Sequence, residues 1–180
     1  MLKLLHALLL GLLGAAIVHI AVLLLIPEFA ERDAWSRLAS ASGLYTATPL
    51  HAEPGVTPTV KSVDPLFLAA TCRFDLSDGT VQAQASGDIP FWSVSVYNRA
   101  GENIYSFNDR TATSGNLDLV VLTPEQMIEV RKILPPEYQK SIFAELPIDE
   151  GIVVVRAFVP DDSWRPKVSA FLDGLSCSSR

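Results

Sequence analysis

The sequence contains few of the residues on which enzymes depend. It has two cysteines and three histidines among 180 residues, and Cys72 and Cys177 are too far apart for a CxxC redox motif. A metal site would need more ligands than these cysteines and His51 provide. The GxSxG, HExxH, P-loop and GxGxxG motifs are missing as well. The sequence therefore predicts no cofactor, no metal and a role other than catalysis; a carboxylate pair from distant positions is the one catalytic arrangement left open.

Positive charge is also scarce. Lys and Arg number 14 against 20 Asp and Glu, a formal net charge of −6. Without Lys3, the remaining 13 basic residues stand against the same 20 acidic ones, a net charge of −7. Such a surface repels phosphate backbones and anionic headgroups, and no basic stripe with interleaved aromatic residues is present. Nucleic acid is therefore not an expected partner.

What the chain does have is one long apolar run near its start. The run from Leu4 to Ile26 contains 23 uncharged residues, and as a helix it would span about 34 Å, enough for a hydrocarbon core of about 30 Å. A cleavable signal peptide is the alternative, but its apolar stretch would cover only about 7 to 15 residues. Lys3 before the run and acidic residues after it favour a cytoplasmic N-terminus and an outward-facing remainder. We therefore expect the membrane itself to be one partner of this chain.

The expected organisation has three segments. Residues 1–27 form a transmembrane anchor, residues 28–64 a juxtamembrane helix and a Pro-rich connection, and residues 65–180 an α+β extracytoplasmic domain. About 150 residues after the anchor can bury one sizeable core.

One side of the predicted membrane helix carries residues suited to close helix packing. These are Ala7, Gly11, Ala15 and His19, which recur every four residues. Small residues allow helix backbones to approach closely in lipid, so this face predicts self-association or a helical partner. The alternative is that Ala and Gly are simply common in membrane helices and that His19 reaches toward the headgroups.

The two cysteines predict one disulfide if the domain meets an oxidising compartment. A bond between Cys72 and Cys177 would close a loop of about 105 residues and stabilise the fold by about 4 to 5 kcal/mol in the chain-entropy model. In a cytosolic chain the same residues would be two buried thiols.

Periodicity predicts an α+β fold in which a single N-terminal transmembrane helix precedes an antiparallel β-rich domain, a sheet or a sandwich, with late helices. We expect short helices at 31–41 and 64–70, a hairpin joining 72–76 to 81–85, and a second hairpin joining 92–97 to 103–107. Longer apolar runs at 117–122 and 152–159 predict strands covered on both faces. Three later helices are expected: one opened by the capping box of Thr123 and Gln126, one from Pro136 through Leu146, and one carrying Trp164 to Leu175 toward Cys177.

Four segments resemble a family of small bacterial inner-membrane proteins, the domain-of-unknown-function family 1254. The segments are VKSVDPLFLAATCRFDL, PFWSVSVYNRAGENIYSFNDR, VVLTPEQM and VVVRAFVPDDSW. Relatives of that family include longer two-domain proteins that add a domain of family 1214. The resemblance implies a β-rich fold, a single-pass inner-membrane location with a periplasmic domain, and a homologous two-domain protein as a possible partner. It implies no reaction.

One cluster of polar and aromatic residues is the candidate ligand site. Its members are Trp92, Tyr97, Tyr105, Asn108, Asp109 and Arg110. Aromatic rings and a few charged groups together can wall a small-molecule cleft. The alternative is structural: a core Trp, cross-strand tyrosines and a turn at Asn108 and Asp109. Arg156 has the same two interpretations, an anion ligand or one half of a structural ion pair.

Overall fold

The computed structural model describes residues 2–50, 64–112 and 115–180, and for residues 27–34 it describes the backbone alone. The predictions that involve His51 and most of the Pro-rich connection therefore lie outside the described residues.

The chain begins with one long helix, α1 (Leu2–Ala41). Its first part, Leu2–Ile26, is long and apolar enough to span a membrane or to serve as a signal anchor, and its large apolar side chains are exposed within the structure. The helix expected at 31–41 is not a separate element, because the backbone stays helical through Pro27. The apolar segment and the start of the folded domain are thus joined by a continuous helix.

The rest of the described chain folds into two packed sheets and two α-helices. The strands are β1 (Thr48–Pro49), β2 (Phe67–Asp75), β3 (Val81–Ala85), β4 (Trp92–Asn98), β5 (Asn103–Asn108), β6 (Leu117–Leu122), β7 (Ile142–Glu145), β8 (Glu150–Phe158) and β9 (Ser176–Ser179); the helices are α2 (Pro124–Lys132) and α3 (Arg165–Asp173). Among the described residues, one sheet has the order β1-β2-β8-β4-β5 and the other the order β7-β6-β3-β9. Neighbouring strands are antiparallel except β6 and β7. The predicted α+β class is confirmed, and its β part is a sandwich.

The core lies between the two sheets. Alternate residues of each strand point inward, so Phe74 and Val94 from the first sheet meet Ala83 and Leu119 from the second. Phe171 of α3 closes one end of this core. The outer face of the second sheet has its own apolar layer, formed by Val120, Leu122, Met127 and Tyr138.

A disulfide links the two sheets. Cys72 of β2 and Cys177 of β9 are bonded, with their Cα atoms 6.5 Å apart. Cys72 is fully buried. The bond predicted from the sequence is therefore present, and it crosses the sandwich near the end of the chain.

The predicted first hairpin is wrong. β2 pairs with β1 and β8, whereas β3 pairs with β6 and β9 in the other sheet. The short helical turn at Leu76–Asp78 therefore carries the chain from one sheet to the other. Arg73 and Gln82, which alternate with apolar residues, are 8% and 2% exposed, whereas Gln84 is exposed. Alternation identifies which residues share a face but does not identify the neighbouring strand.

The helix expected at 64–70 is also wrong. The Asp64 carboxylate does accept a hydrogen bond from the N–H of Leu66 at 3.0 Å, as an N-cap would, but β2 begins at Phe67. Leu68 and Ala70 pair with β8 and are buried. Burial in the sheet therefore outweighs the local helix signal.

The helix expected after Pro136 is a single 3-10 turn, Pro136–Tyr138, followed by β7. Two other predictions are confirmed. β4 and β5 form the second hairpin, and α2 starts with the expected capping box, in which the N–H of Gln126 donates to Thr123 Oγ1 at 3.2 Å and the N–H of Thr123 donates to Gln126 Oε1 at 2.9 Å.

Candidate functional site

The aromatic members of the predicted cluster lie on both faces of the first sheet. Trp92 is 1% exposed, and its Nε1 donates to the carbonyl oxygen of Gly115 at 2.9 Å. Tyr105 lies opposite Val96 and packs against the same core. Tyr97 comes next to Val96 in β4, so its side chain leaves the sheet on the other face. These three rings therefore do not converge on one surface.

The polar members of the cluster form a turn at the end of β5. Asn108 Oδ1 accepts a hydrogen bond from the N–H of Arg110 at 3.1 Å. The N–H of Asp109 donates to the carbonyl of Trp92 at 3.1 Å, while the buried Oδ1 of Asp109 accepts no hydrogen bond within the described chain. Arg110 is exposed. The turn gives these residues a structural role, and a ligand for them stays a prediction.

Arg156 lies on the outer face of the first sheet beside two partners. Its guanidinium carbon is 4.7 Å from the centre of the Phe67 ring, and its Nη2 is 3.6 Å from the Asp64 carboxylate. The structural ion pair considered for this residue is therefore present. Because the Arg156 side chain is 47% exposed, the pair contributes little to stability.

An open cleft of about 440 Å³ lies at one end of the outer face of the second sheet. We call it the polar cleft, and its polar lining residues are Gln84, Ser86, Asn116, Asp118, Lys140 and Ser176. β3 places Gln84 beside both Asp118 of β6 and Ser176 of β9, so one row of polar groups crosses three strands. Beneath the row, the almost fully buried Gln82 donates from Nε2 to Asp118 Oδ1 at 2.9 Å. This bond fixes the direction of the Asp118 carboxylate.

Sequence reasoning missed the polar cleft because its residues come from four separate segments. The alternation of Gln82 and Gln84 with apolar residues was the one available signal, and by itself it is typical of any half-exposed strand.

An apolar patch lies at the C-terminal end of α2. Ile128, Ile133 and Leu134 are 60%, 82% and 46% exposed; these three residues define the α2 patch. Beside it runs a groove of about 480 Å³, lined by Met127, Val130, Arg131, Leu134, Phe143 and Glu145. Outside the apolar N-terminal segment, the described residues have only two other exposed large apolar side chains, Leu44 and Leu66. Exposed apolar side chains next to an apolar groove are typical of an interaction site.

The end of α1 is held against the first sheet by Trp35. The guanidinium carbons of Arg73 and Arg99 lie 5.2 Å and 5.4 Å from the centre of the Trp35 ring. Arg73 Nη2 also donates to the carbonyl of Ser42 at 2.8 Å, just past the last residue of the helix. A cation at a helix C-terminus is favourable because the helix dipole is negative there. Arg99 in turn pairs with Glu150, so the junction is tied to β2, β8 and the β4-β5 turn.

Tyr45 joins the segment after α1 to the turn between the two sheets. Its hydroxyl lies 2.6 Å from the carbonyl oxygen of Asp75 and 2.7 Å from Asp78 Oδ2. Burial raises the pKa of Tyr45 to about 12, and the hydrogen bond to Asp78 acts in the same direction. Nearby, the hydroxyl and the N–H of Ser77 donate to Asp75 Oδ1 and lower the pKa of that carboxyl.

The predicted packing face of α1 has no neighbour within the described part of this chain. A Cβ added at Gly11 would meet no atom within 4 Å, and Ala7, Ala15 and His19 are exposed. The structure therefore leaves the face available, and its association with another helix stays a prediction.

Together these features define a class of protein: a disulfide-linked β-sandwich that follows an N-terminal helix long and apolar enough to span a membrane. Residues 46–179 match the model of the family described as "Protein of unknown function (DUF1254)". The chain belongs to this family, which confirms the resemblance seen in its sequence. No curated protein matches the chain.

Two longer solved structures are similar to this chain. The VPA0106 protein from Vibrio parahaemolyticus is 10% identical with a TM-score of 0.60, over 83% of this chain and 35% of that one. An uncharacterized protein from Burkholderia cenocepacia is 13% identical with a TM-score of 0.46, over 76% of this chain and 34% of that one. The chain thus spans about a third of the length of each, and the Vibrio structure shows that the fold is shared.

Proposed function

We propose that this protein is a membrane-anchored interaction module of the bacterial envelope. In this proposal α1 crosses the inner membrane once, the N-terminus is cytoplasmic and the sandwich lies in the periplasm. The apolar helix and the disulfide support this arrangement, since disulfides persist in oxidising compartments. Trp35 follows Ile26 by nine residues, so the sandwich would sit about 14 Å from the end of the apolar segment.

The α2 patch is the observation that carries the interaction role. Exposure of large apolar side chains and an apolar groove to water is unfavourable, and a partner that covers them removes this cost. α2 covers the outer face of the second sheet, while Trp35 binds the first sheet. The patch therefore lies on the opposite side of the sandwich from the anchor junction, where a separate protein can reach it.

The proposed partner is a longer envelope protein related to this one. In the Vibrio structure the matched fold makes up about a third of the chain, so there the fold occurs together with further polypeptide. This supports a partner protein that contributes the additional polypeptide by binding to the present chain. Self-association through Ala7, Gly11, Ala15 and His19 is a second proposed contact, within the membrane.

A ligand-binding role for the residues from Trp92 to Arg110 has less support. Trp92 fills the core and Tyr97 lies on the opposite face of the sheet from Tyr105. The groups that would have to wall a cleft are thus separated by the sheet itself.

The experiment is co-purification of the tagged full-length chain from gently solubilised native membranes, with the Ile133→Asp variant compared with wild type. A buried Ile side chain contributes about 1.5 to 3 kcal/mol, so we expect the variant to retain about a tenth or less of the partner. Leu66→Asp, at a side chain that is 50% exposed elsewhere, is the matched control and should retain it.

The same preparation tests the membrane contact. Gly11→Leu should reduce self-association, whereas Ala16→Leu, on another side of the helix, should not. Equal recovery of partner by Ile133→Asp and wild type would refute the role of the α2 patch, and normal self-association of Gly11→Leu would refute the helix contact.

A further inference from the structure

We propose that the polar cleft binds a saccharide. This site is independent of the α2 patch, because the two surfaces share no lining residue. Its volume of about 440 Å³ lies within the range of about 300 to 1,000 Å³ that is usual for small-molecule sites.

The lining presents donors and acceptors in close succession. The row formed by Ser176, Gln84 and Asp118 comes from three neighbouring strands, and Lys140 and Asn116 border the same cleft. Each amide both donates and accepts, each hydroxyl does the same, the carboxylate accepts and the ammonium donates. A ligand with several groups that both donate and accept hydrogen bonds therefore fits this lining. The hydroxyl groups of a sugar ring are such groups.

The charges of the cleft argue against a simple ion as its ligand. The Asp118 carboxylate and the Lys140 ammonium are the two charged lining groups, and they have opposite signs. An anion would be attracted to Lys140 but repelled by Asp118, and a cation would meet the reverse. An uncharged polar ligand is repelled by neither group.

Gln82 orients the Asp118 carboxylate as a hydrogen-bond acceptor for a ligand rather than as the partner of a cation. It is 2% exposed and donates to Asp118 Oδ1. One oxygen of the carboxylate is therefore occupied, and the carboxylate is held toward the cleft with its remaining acceptor sites available. A fixed acceptor selects a ligand by the position of its hydroxyl groups, because only a hydroxyl that points at the carboxylate can donate to it.

We expect weak affinity, with a Kd of about 1 mM, because the cleft is open and its described lining contains no aromatic side chain. The test uses the full chain in lipid nanodiscs of phosphatidylcholine, since maltoside detergents carry sugar headgroups that would compete. Saturation-transfer NMR is recorded with glucose, N-acetylglucosamine and maltose, and with glycine as one alternative ligand. Inorganic phosphate, the other alternative, has no carbon-bound protons, so its binding is followed by phosphorus NMR and by its competition with the sugar signals.

Two variants and two matched controls locate the site. Asp118→Asn removes the negative charge and replaces one of the two acceptor oxygens by an NH2 donor, and Lys140→Met removes the ammonium; each should weaken sugar binding about tenfold. Asp162→Asn and Lys132→Met remove the same charges outside the cleft and should bind as wild type does. Circular dichroism of each variant establishes that the sandwich is intact.

Saturable binding of at least one sugar that both cleft variants weaken, and both controls retain, supports the proposal. Three outcomes would overturn it. The first is that no sugar binds at concentrations tenfold above the expected Kd, and the second is that the cleft variants bind sugar as tightly as wild type does. The third is that glycine or phosphate binds the cleft in preference to every sugar. None of these outcomes depends on the α2 patch, so they are separate from the test of the interaction role.

Discussion

Tyr45 shows how one side chain fixes the start of the folded domain. Its backbone has φ = +58°, a left-handed conformation that is unfavourable for a residue with a side chain. Its N–H donates to the carbonyl of Arg73 at 2.8 Å, and its hydroxyl reaches the turn after β2. These contacts compensate for the strained backbone and hold the segment after α1 along the edge of the first sheet.

The raised pKa of Tyr45 predicts a pH dependence of stability. The folded state favours the protonated phenol, because its pKa is about 12 rather than the ordinary 10. Its contribution is therefore complete below pH 10 and is lost as the pH rises toward 12. Tyr45→Phe should lower the free energy of unfolding by about 1 kcal/mol at pH 7, and the difference from wild type should shrink above pH 10.

Denaturant unfolding of both proteins between pH 7 and pH 12 measures that difference. Other tyrosines and the lysines titrate in both proteins, so their effects cancel in the comparison. A constant difference across the whole range would contradict the assigned role of the hydroxyl.

At the scale of elements, the junction between α1 and the first sheet decides whether the anchor and the sandwich move together. Trp35 contacts two guanidinium groups, and Arg73 is 8% exposed. A cation–π contact is worth about 0.5 to 1 kcal/mol when exposed and about 2 kcal/mol when desolvated. The two contacts together are strong enough to keep the helix end docked for most of the time.

We predict that Trp35→Ala releases the helix end without unfolding the sandwich. Hydrogen exchange of the full chain in nanodiscs should become at least about tenfold faster in residues 42–50. That segment includes the amides of Tyr45 and Leu50, which bond to the first sheet, whereas exchange in α3 should not change. Trp35→Phe keeps an aromatic face and serves as the control, with exchange close to wild type. Unaltered exchange in Trp35→Ala would show that the two arginines do not hold the helix.

Elements that depend on local interactions were predictable, and elements that depend on distant partners were not. The capping box of Thr123 and Gln126 starts α2 as expected, and the short turn between β4 and β5 closes the expected hairpin. The error at β7 is different. The sequence predicted that its residues continue a helix that contains Tyr138. In the structure they form a strand because they pair with β6, some twenty residues earlier in the sequence.

The surfaces follow the same rule. Trp92 was considered a core residue, yet the Phe171 ring beside it belongs to α3, a remote part of the chain. The Trp35 ring that Arg73 contacts belongs to α1 and is equally remote from β2. The polar cleft joins residues of β3, β6 and β9, and no single segment of the sequence indicates it. The disulfide was predictable only because two cysteines allow one pairing.

At the scale of the whole molecule, the disulfide connects the two sheets at a short edge strand with a single neighbour. β9 is a four-residue edge strand that pairs with β3 alone. The bond joins it to β2 in the opposite sheet across a sequence separation of 105 residues. A cross-link over such a long loop strongly restricts the unfolded chain, so its removal should lower the stability of the entire sandwich.

Replacing Cys72 or Cys177 by Ser should lower the free energy of unfolding by about 2 to 5 kcal/mol. The double replacement should cost about as much as either single one, because the bond is already lost in each single variant. Hydrogen exchange should increase first in β9, since its remaining hydrogen bonds are to one neighbour. Additive costs of the two replacements would mean that the thiols act separately and that the bond does not form.

The same cysteines test where the sandwich lies. Protein isolated from cells in the presence of an alkylating reagent should stay unmodified at Cys72 and Cys177 until it is reduced, and a reporter active only outside the cytoplasm should function when fused after Arg180. Reduced wild type is the positive control for alkylation. The bond joins β2 to β9, and disulfides form and persist in compartments that oxidise thiols. Modification of both thiols without reduction, together with an inactive reporter, would place the sandwich in the cytoplasm and refute the envelope role.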